Sequence, residues 1–365
     1  MLNNKTIAVV VPAYNEEKQI GLVIETMPDF VDRIIVINDA SKDNTLEVVK
    51  KYVNQFKGQG FKISTPSENA RSTFFNRADL VVAEKDKEDE VFYPSFEIFN
   101  ETPEADRVIL LNHKRNSGKG AGIVTGYKFC KDWGFDCIAA MDGDGQMDPA
   151  ELESICAPIV FEGIDYVKGN RLIHRSAWLV IPKLRFFGNS ILSILTKLAS
   201  GYWRVSDTQT GYAAISKKAV NSFAIHSIYR SYGYPNDILV KLNIAMCTLR
   251  EVEIKPVYNV GEQSKMKISK VIPTVSWLLF KSFFKRLWVK YLFRDFHPLF
   301  ILYNLGFAMI LISIPFGFKV VSRVLLGPPL NPVTLLGFVF LFITGIQFLL
   351  FAMWMDIQDN ERLYK

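Results

Sequence analysis

The chain has 365 residues, 49% of them hydrophobic and 13% aromatic, with a formal charge of +6 at pH 7. That length allows one large domain or two small ones, and the apolar content supports a sizeable core, so a globular chain is the default and a disordered one is excluded. The charge is modest, so its placement matters more than its size. The N-terminal stretch "MLNNKTIAVVVPAYNEE" has only a short apolar run, broken by Pro12 and without a cleavage pattern, so no signal peptide is expected.

Short β-branched runs then alternate with helical patterns. "TIAVVVP" precedes "EEKQIGLVIETM", "RIIVIND" precedes "DNTLEVVKKYVNQF", "RVILLNH" precedes "GKGAGIVTGYKFCKDW", and "CIAAMD" precedes "PAELESICAPIVF". This rhythm predicts parallel strands with crossover helices, an α/β sheet covered on both faces. Ligands of such sheets bind beyond the carboxyl ends of the strands, where Pro12, Asp39, His113 and Asp142 fall. The rhythm fails between 57 and 105, which reads as an insertion, either a lid or docking flap or a surface decoration. Helical patterns return from 184, and "TLREVEIKPVY" suggests a last strand.

Between Lys265 and Arg294 the chain carries Lys and Arg but no acid, interleaved with aromatic residues. Two apolar runs follow, 298–318 and 332–355, each free of Asp, Glu, Lys and Arg and long enough to cross a hydrocarbon core as a helix. They read as a membrane hairpin; buried core helices are the alternative. The heavier basic block precedes the first span, so the positive-inside rule puts residues 1–295 on the cytosolic face. The block itself suits a helix lying among lipid headgroups; abutting a span, it is a poor nucleic-acid site. Cys130, Cys137, Cys156 and Cys247 show no metal spacing and read as packing residues, kept reduced on a cytosolic face.

Among the motifs, "DGDGQMDP" places Asp142 and Asp144 just past a strand, around a turn eased by Gly143 and Gly145. Two hard oxygen donors there suit Mg²⁺ or Mn²⁺ carrying a diphosphate. A calcium loop fails because Met147 stands where glycine is required and a strand precedes. Plain turn chemistry remains open for Asp142 and Asp144, while Asp148 caps the helix that Pro149 opens. "NSGKGAG", with Lys119 among its glycines, is neither a nucleotide P-loop nor a dinucleotide fingerprint; Gly118, Gly120 and Gly122 free the backbone at a helix start for an anion or a close strand, and a tight strand-to-helix turn explains them equally well. Asp237, in "YGYPNDILVKLN", is either a general base for a hydroxyl acceptor or a first-turn acid.

The order "PAYNEE", "NDASKD", "NSGKG", "DGDGQ" resembles the family 2 inverting glycosyltransferases with the GT-A fold. Within them it is most similar to the dolichol-phosphate mannose synthase and polyprenyl-phosphate glycosyltransferase branch. The resemblance covers about 5–56 and 106–270, and a C-terminal membrane hairpin also occurs in that branch. It implies a mostly parallel, Rossmann-like sheet with helices on both faces, then an amphipathic interfacial region and a two-helix hairpin. The implied division is a catalytic domain over 1–260, a basic juxtamembrane region over 261–297, transmembrane helices within 298–356 and a cytosolic tail over 357–365.

By position, the resemblance puts Pro12, Tyr14, Glu16 and Lys119 beside the nucleotide and Asp39 on its base. Asp142, Asp144 and Gln146 would hold Mg²⁺ or Mn²⁺, with Gly143 beside the donor. Arg171 or Arg175, Gln209, Ser264 and Lys265 would meet phosphates or sugar. The implied partners are a UDP-, GDP- or dTDP-sugar, a polyprenyl or dolichyl phosphate and the lipid bilayer, with no nucleic acid. Departures are Asn38 where relatives carry an acid, Ala213 where many carry arginine, and the 57–105 insertion. Two rivals have weaker support. A processive polysaccharide synthase would show Gln-x-x-Arg-Trp, whereas Trp203-Arg204 has the wrong order; a catalytically silent binding module would not need Asp142, Asp144 and Gln146 intact.

Overall fold

The computed structural model describes residues 1–53, 55, 73, 75–181, 183–257, 268–327 and 329–365. Eight strands form one sheet: β1 (Ile7–Ala13), β2 (Arg33–Asn38), β3 (Phe96–Ile98), β4 (Val108–His113), β5 (Cys137–Ala140), β6 (Tyr166–Asn170), β7 (Ala213–Ser216) and β8 (Leu249–Glu253). Their spatial order is β3-β4-β2-β1-β5-β7-β6-β8. The central pairs β4–β2, β2–β1 and β1–β5 are parallel, as is β6–β8, while β3 and β7 run antiparallel to their neighbours.

Strand alternation divides the core. Ala8 and Val10 of β1 and Ile35 and Ile37 of β2 face the Lys119–Trp133 helix, while Ile7, Val9 and Val11 face the helices Ile20–Glu25, Thr45–Val53 and Leu152–Glu162. Because helices cover both faces, β1 and β2 are buried throughout, which is why they read as unbroken apolar runs. The expected α/β sheet is present, and β1, β2, β4 and β5 end on one edge.

The described part of the 57–105 segment is more ordered than its sequence suggests. It contains the helix Arg77–Glu88, none of whose residues is buried, and the three-residue edge strand β3. A helix with no buried face leaves no hydrophobic period to detect, and a strand this short derives its structure from pairing with β4. The segment docks on the loop before the Tyr234–Ile244 helix: Arg230 donates to the Phe92 carbonyl at 2.5 Å, and the Phe92 and His226 rings stack at 5.2 Å.

Beyond the sheet, the helix Ile268–Trp288 packs on the helix Lys183–Ser200 through Val275, Leu279 and Leu192, leaving Trp277, Phe280 and Trp288 exposed. After a π-helical turn, Val289–Arg294, the helices Pro298–Leu326 and Pro332–Glu361 pair with each other. Both are long and apolar enough to cross a membrane, and little of either apolar stretch is buried by protein, unlike a core helix. Glycines bring them close: a Cβ on Gly306 would lie 2.8 Å from Leu349, and one on Gly317 would lie 2.8 Å from Phe338.

The chain end over 357–365, expected as a tail, does not stand apart from the sheet. The second long helix runs to Glu361, and the chain then folds back on β8. The Leu249 N–H donates to the Leu363 carbonyl at 2.7 Å, Arg250 donates to the Lys365 carbonyl at 2.7 Å, and Leu363 is buried in the sheet core. Residues 362–365 are therefore packed on the sheet as part of the domain.

Candidate active site

A cavity of about 500 Å³ opens at the carboxyl edge of β1, β2 and β5, within the usual range for small-ligand sites. Pro12, Tyr14, Glu16, Asp39, Lys119, Asp142, Gly143, Asp144, Gln146, Arg171 and Gln209 all line it. Residues more than a hundred positions apart therefore share one wall. The loops after β1 and β2 are tied together: the Asn15 N–H donates to Ser41 Oγ at 3.0 Å and the Glu16 N–H to Thr45 Oγ1 at 2.8 Å. Asn15 and Ala40 accept left-handed backbone at φ 55 and 54 to make these turns.

At the centre, Lys119 Nζ lies 2.6 Å from Asp142 Oδ2. Burial works against charge on this lysine, but Asp142 and Asp144 outweigh it and hold its pKa above the ordinary value. Asp144 is the strained member: burial first, and then the neighbouring Asp142 charge, push its carboxyl up to about 6. Among the described residues no group of three or more His, Cys, Asp and Glu forms a self-sufficient metal cage. Two hard carboxylates carrying excess negative charge, with Gln146 beside them, instead fit Mg²⁺ or Mn²⁺ that completes its shell with substrate phosphate and water.

Asp39 has work inside the protein. Its Oδ1 accepts from the Ser117 N–H at 2.8 Å and pairs with His113 Nδ1 at 2.7 Å, and its Oδ2 accepts from the Gly118 N–H at 2.8 Å. His113 Nε2 in turn meets Thr125 Oγ1 at 2.8 Å. The carboxylate thus shapes the glycine turn and retains one free lone pair on Oδ2 for a ligand. Asn38, where the resemblance led one to expect an acid, donates to Asn112 at 2.6 Å and accepts from Ser41 at 2.6 Å, so its amide is structural. The open question over "NSGKGAG" is answered by packing: a Cβ on Gly118 or Gly120 would stand 2.5 or 2.2 Å from the Arg230 or Tyr229 carbonyl. A close backbone segment is enough to require those two glycines.

On the opposite wall, Arg171 grips Asp207 with two bonds, of 2.7 and 3.0 Å, at the start of the "DTQTGY" turn. Burial would raise Asp207, but Arg171 and then Lys168 hold it below the ordinary carboxylate range. Gln209 donates to Asn236 Oδ1 at 3.1 Å and faces the cavity.

Two expected residues are not brought to the cavity. Arg175 is exposed elsewhere on the surface. Asp237 is buried behind the wall, its Oδ2 accepting from the Tyr229 N–H at 2.9 Å and from Lys241 at 2.5 Å, a geometry that fits the first-turn acid of its two readings. Asp237→Asn is accordingly expected to keep transfer per folded molecule within about threefold of the parent while lowering stability by roughly 1–3 kcal/mol through Lys241. Turnover measured against melting temperature checks this, and a hundredfold loss of turnover would restore the base. Ser264 and Lys265 lie outside the described residues.

Sequence reasoning missed Ser231, Tyr232, Tyr234 and Pro235, which line the cavity from the turn before the Tyr234–Ile244 helix. The aromatic and glycine density of "YRSYGYP" was the available signal. It also missed Gly188, Asn189 and Leu192, because a helix face pointing into a cavity looks like any other half-polar face. Of the described part of the 57–105 segment, nothing lines the cavity.

Several known proteins resemble this chain. The UDP-N-acetylglucosamine–dolichyl-phosphate N-acetylglucosaminyltransferase of Methanococcus voltae is 27% identical over 256 residues, covering 70% of this chain and 87% of that protein. A dolichyl-phosphate beta-glucosyltransferase of Trichomonas vaginalis is 23% identical over 300 residues, covering 77% and 74%. Among solved structures, glucosyl-3-phosphoglycerate synthase from Mycobacterium tuberculosis in complex with Mn²⁺, UDP and glucosyl-3-phosphoglycerate has 16% identity and a TM-score of 0.46, over 78% of this chain and 80% of that one. So distant a likeness adds nothing to the assignment. The profile described as Glycosyl transferase family 2 matches residues 8–79 and 97–223, more than half of the chain, and the protein is therefore a glycosyltransferase of that family.

Proposed function

We propose that this glycosyltransferase moves a sugar from a nucleoside-diphosphate sugar to a polyprenyl phosphate, with inversion, at the cytosolic face of a membrane. One observation carries the choice of acceptor. The helices Lys183–Ser200 and Ile268–Trp288 contribute Leu192, Val271 and Ile272 to the cavity described above, whose lining mixes charged, polar and apolar groups. Further along, the same two helices contribute Leu195, Leu198, Leu279, Phe280 and Phe283 to a second, almost wholly apolar cavity of about 520 Å³. Phe307 and Met353 of the two long apolar helices close it. A charge-bearing site joined by shared helices to an apolar groove suits an amphiphile, with its anionic head among Lys119 and Arg171 and its chain toward the lipid. The names of the two relatives above, both dolichyl-phosphate transferases, support the same reading.

In this scheme residues 1–260 form the catalytic domain, 261–297 lie at the membrane surface, and the spans within 298–356 anchor them. Asp142, Asp144 and Gln146 hold Mg²⁺ or Mn²⁺, which when bound offsets the charge developing on the departing nucleoside diphosphate. Lys119, already paired with Asp142, adds a fixed positive charge where that leaving group sits. Pro12, Tyr14, Glu16 and Asp39 border the nucleotide; Arg171 and Gln209 face the acceptor side, with Ser264 and Lys265 assigned there by resemblance alone. A phosphate monoester has its second ionisation near pH 6 by analogy with phosphoserine, so the nucleophile arrives charged and needs no strong base. The position of Asp237 behind the wall agrees.

The test is to incubate membranes holding the protein with labelled UDP-, GDP- and dTDP-sugars, a polyprenyl phosphate and Mg²⁺ or Mn²⁺, then count label in the organic phase. One donor should label lipid, and EDTA should abolish it. With that donor, KM should fall by about tenfold or more from a single-isoprene phosphate to a long-chain polyprenyl phosphate as the groove fills. Equal KM values across chain lengths would remove the acceptor assignment while leaving the donor site standing.

A further inference from the structure

One polar group in the cavity has no part in the scheme above. Tyr234 lines the cavity and is 4% exposed, and its hydroxyl oxygen is buried with no hydrogen-bond partner among the described residues. Native proteins keep few such orphans, and those they keep call for an explanation. The hydroxyl has been placed with care. It lies 2.3 Å from where a Cβ on Gly211 would stand, and Asp142 Oδ1 lies 3.5 Å from the same point. Only glycine at 211 lets the phenol reach this far. Gly211 belongs to the turn that Arg171 holds through Asp207, so the hydroxyl lies against that turn, with Asp142 nearby.

The local charge says what would satisfy it. Asp142 and Asp144 attract a cation but repel an anion, whereas the reaction must hold phosphoryl oxygens beside them. Lys119 and Arg171 supply charge on either side. Between them a neutral donor on a rigid, buried ring adds direction without a further charge, and its desolvation is met during folding instead of during binding.

We propose that the Tyr234 hydroxyl donates a hydrogen bond to a phosphoryl oxygen held between Asp142 and Gly211, which makes Tyr234 an anion-binding residue of the transfer site; this rests on the nucleotide-sugar reading above. The oxygen belongs either to the donor diphosphate or to the acceptor phosphate, and the measurement separates the two.

Full-length protein and Tyr234→Phe, in detergent, are compared in three ways: melting without ligand, calorimetric Kd for UDP, GDP and dTDP with Mg²⁺, and KM for a polyprenyl phosphate. The substitution breaks no bond among the described residues, so melting should stay level or rise. Binding should weaken about 10- to 100-fold, the range for a hydrogen bond to a charged group. Loss in nucleotide Kd assigns the donor diphosphate; loss in KM alone assigns the acceptor phosphate. Kd and KM both within twofold of the parent overturn the proposal, whatever happens to melting. A parent that binds none of the three nucleotides overturns it together with the reading beneath it, a result distinct from unchanged binding in the variant. Gly211→Ala gives a second check. Its Cβ should force the hydroxyl aside and weaken the same ligand, yet cost little more in the Tyr234→Phe background, where the nearest remaining atoms lie 3.5 Å away. An equal cost in both backgrounds would show that the hydroxyl is not the group displaced.

Discussion

Asp144→Asn should abolish transfer and, at the same time, make the ligand-free protein more stable. The first effect follows from losing one of the two carboxylates assigned to the divalent ion; a loss on the order of 10³-fold or more is expected. The second follows from the sign of the shift. In the unfolded chain this carboxyl titrates near its ordinary value, whereas in the fold it is pushed up to about 6 by burial and by Asp142. The native state therefore holds the proton more tightly, and stability is lost as pH rises from about 4 through 6. Above that window the full cost of an ionised Asp144 is present, and asparagine removes it. The gain should be about 1–2 kcal/mol at pH 7.5, once coupling to Asp142 and solvent screening are discounted. It should shrink toward zero by pH 4. Melting curves across pH in EDTA, set beside transfer assays with Mg²⁺, decide both halves. Retained metal-dependent turnover would remove the pair from the site, and a variant less stable at pH 7.5 would show that Asp144 supports the fold.

The other large effect lies far from the chemistry. Arg286 is fully buried and donates to both oxygens of Asp356 at 2.7 and 2.8 Å, and to the carbonyls of Ala199 and Leu198 at 2.9 and 3.1 Å. Asp356 also accepts from Tyr291 at 2.7 Å and Trp203 at 3.3 Å. Alongside, Lys290 donates to Asn243 at 3.0 Å and Asn360 at 2.6 Å. One network thus joins the helices packed on the sheet, the helix Ile268–Trp288 with its π-helical turn, and the end of the second long helix. Arg286→Ala leaves Asp356 buried without its guanidinium partner, at a cost of about 3–5 kcal/mol. Residues 362–365 should then leave β8 and become open to carboxypeptidase, which thermal melting and mass spectrometry would register. The double variant Arg286→Met, Asp356→Leu should recover most of that stability, since paired removal leaves no orphan charge. Equal instability of the single and double variants would mean that the network's shape, not its charge balance, holds the helix.

The pattern of what was legible follows from range. Strand runs, crossover helices and apolar spans are local properties, and each shows its period within a dozen residues. The residues at the carboxyl ends of β1, β2, β4 and β5 were legible for the same reason, because parallel topology brings strand ends to one edge whatever lies between. The helix Arg77–Glu88 was not, since it buries nothing, and neither was the docking of Leu363, which depends on a β8 edge left open by the rest of the fold.

From its sequence alone this protein was determined to be a mostly parallel α/β enzyme with an acidic pair at a strand end and two apolar helices behind it. Only the tertiary structure decided which polar residues face the cavity. It turned Asp237 toward Lys241, made Asp39 the support of the glycine turn, left Tyr234 beside Gly211 without a partner among the described residues, and closed Arg286 on Asp356. The reason is physical: a carboxylate or phenol has the same local signature whether it meets a substrate or a neighbour. What separates the two cases is the set of partners that packing brings within hydrogen-bond reach, and those partners come from parts of the chain that no local pattern connects.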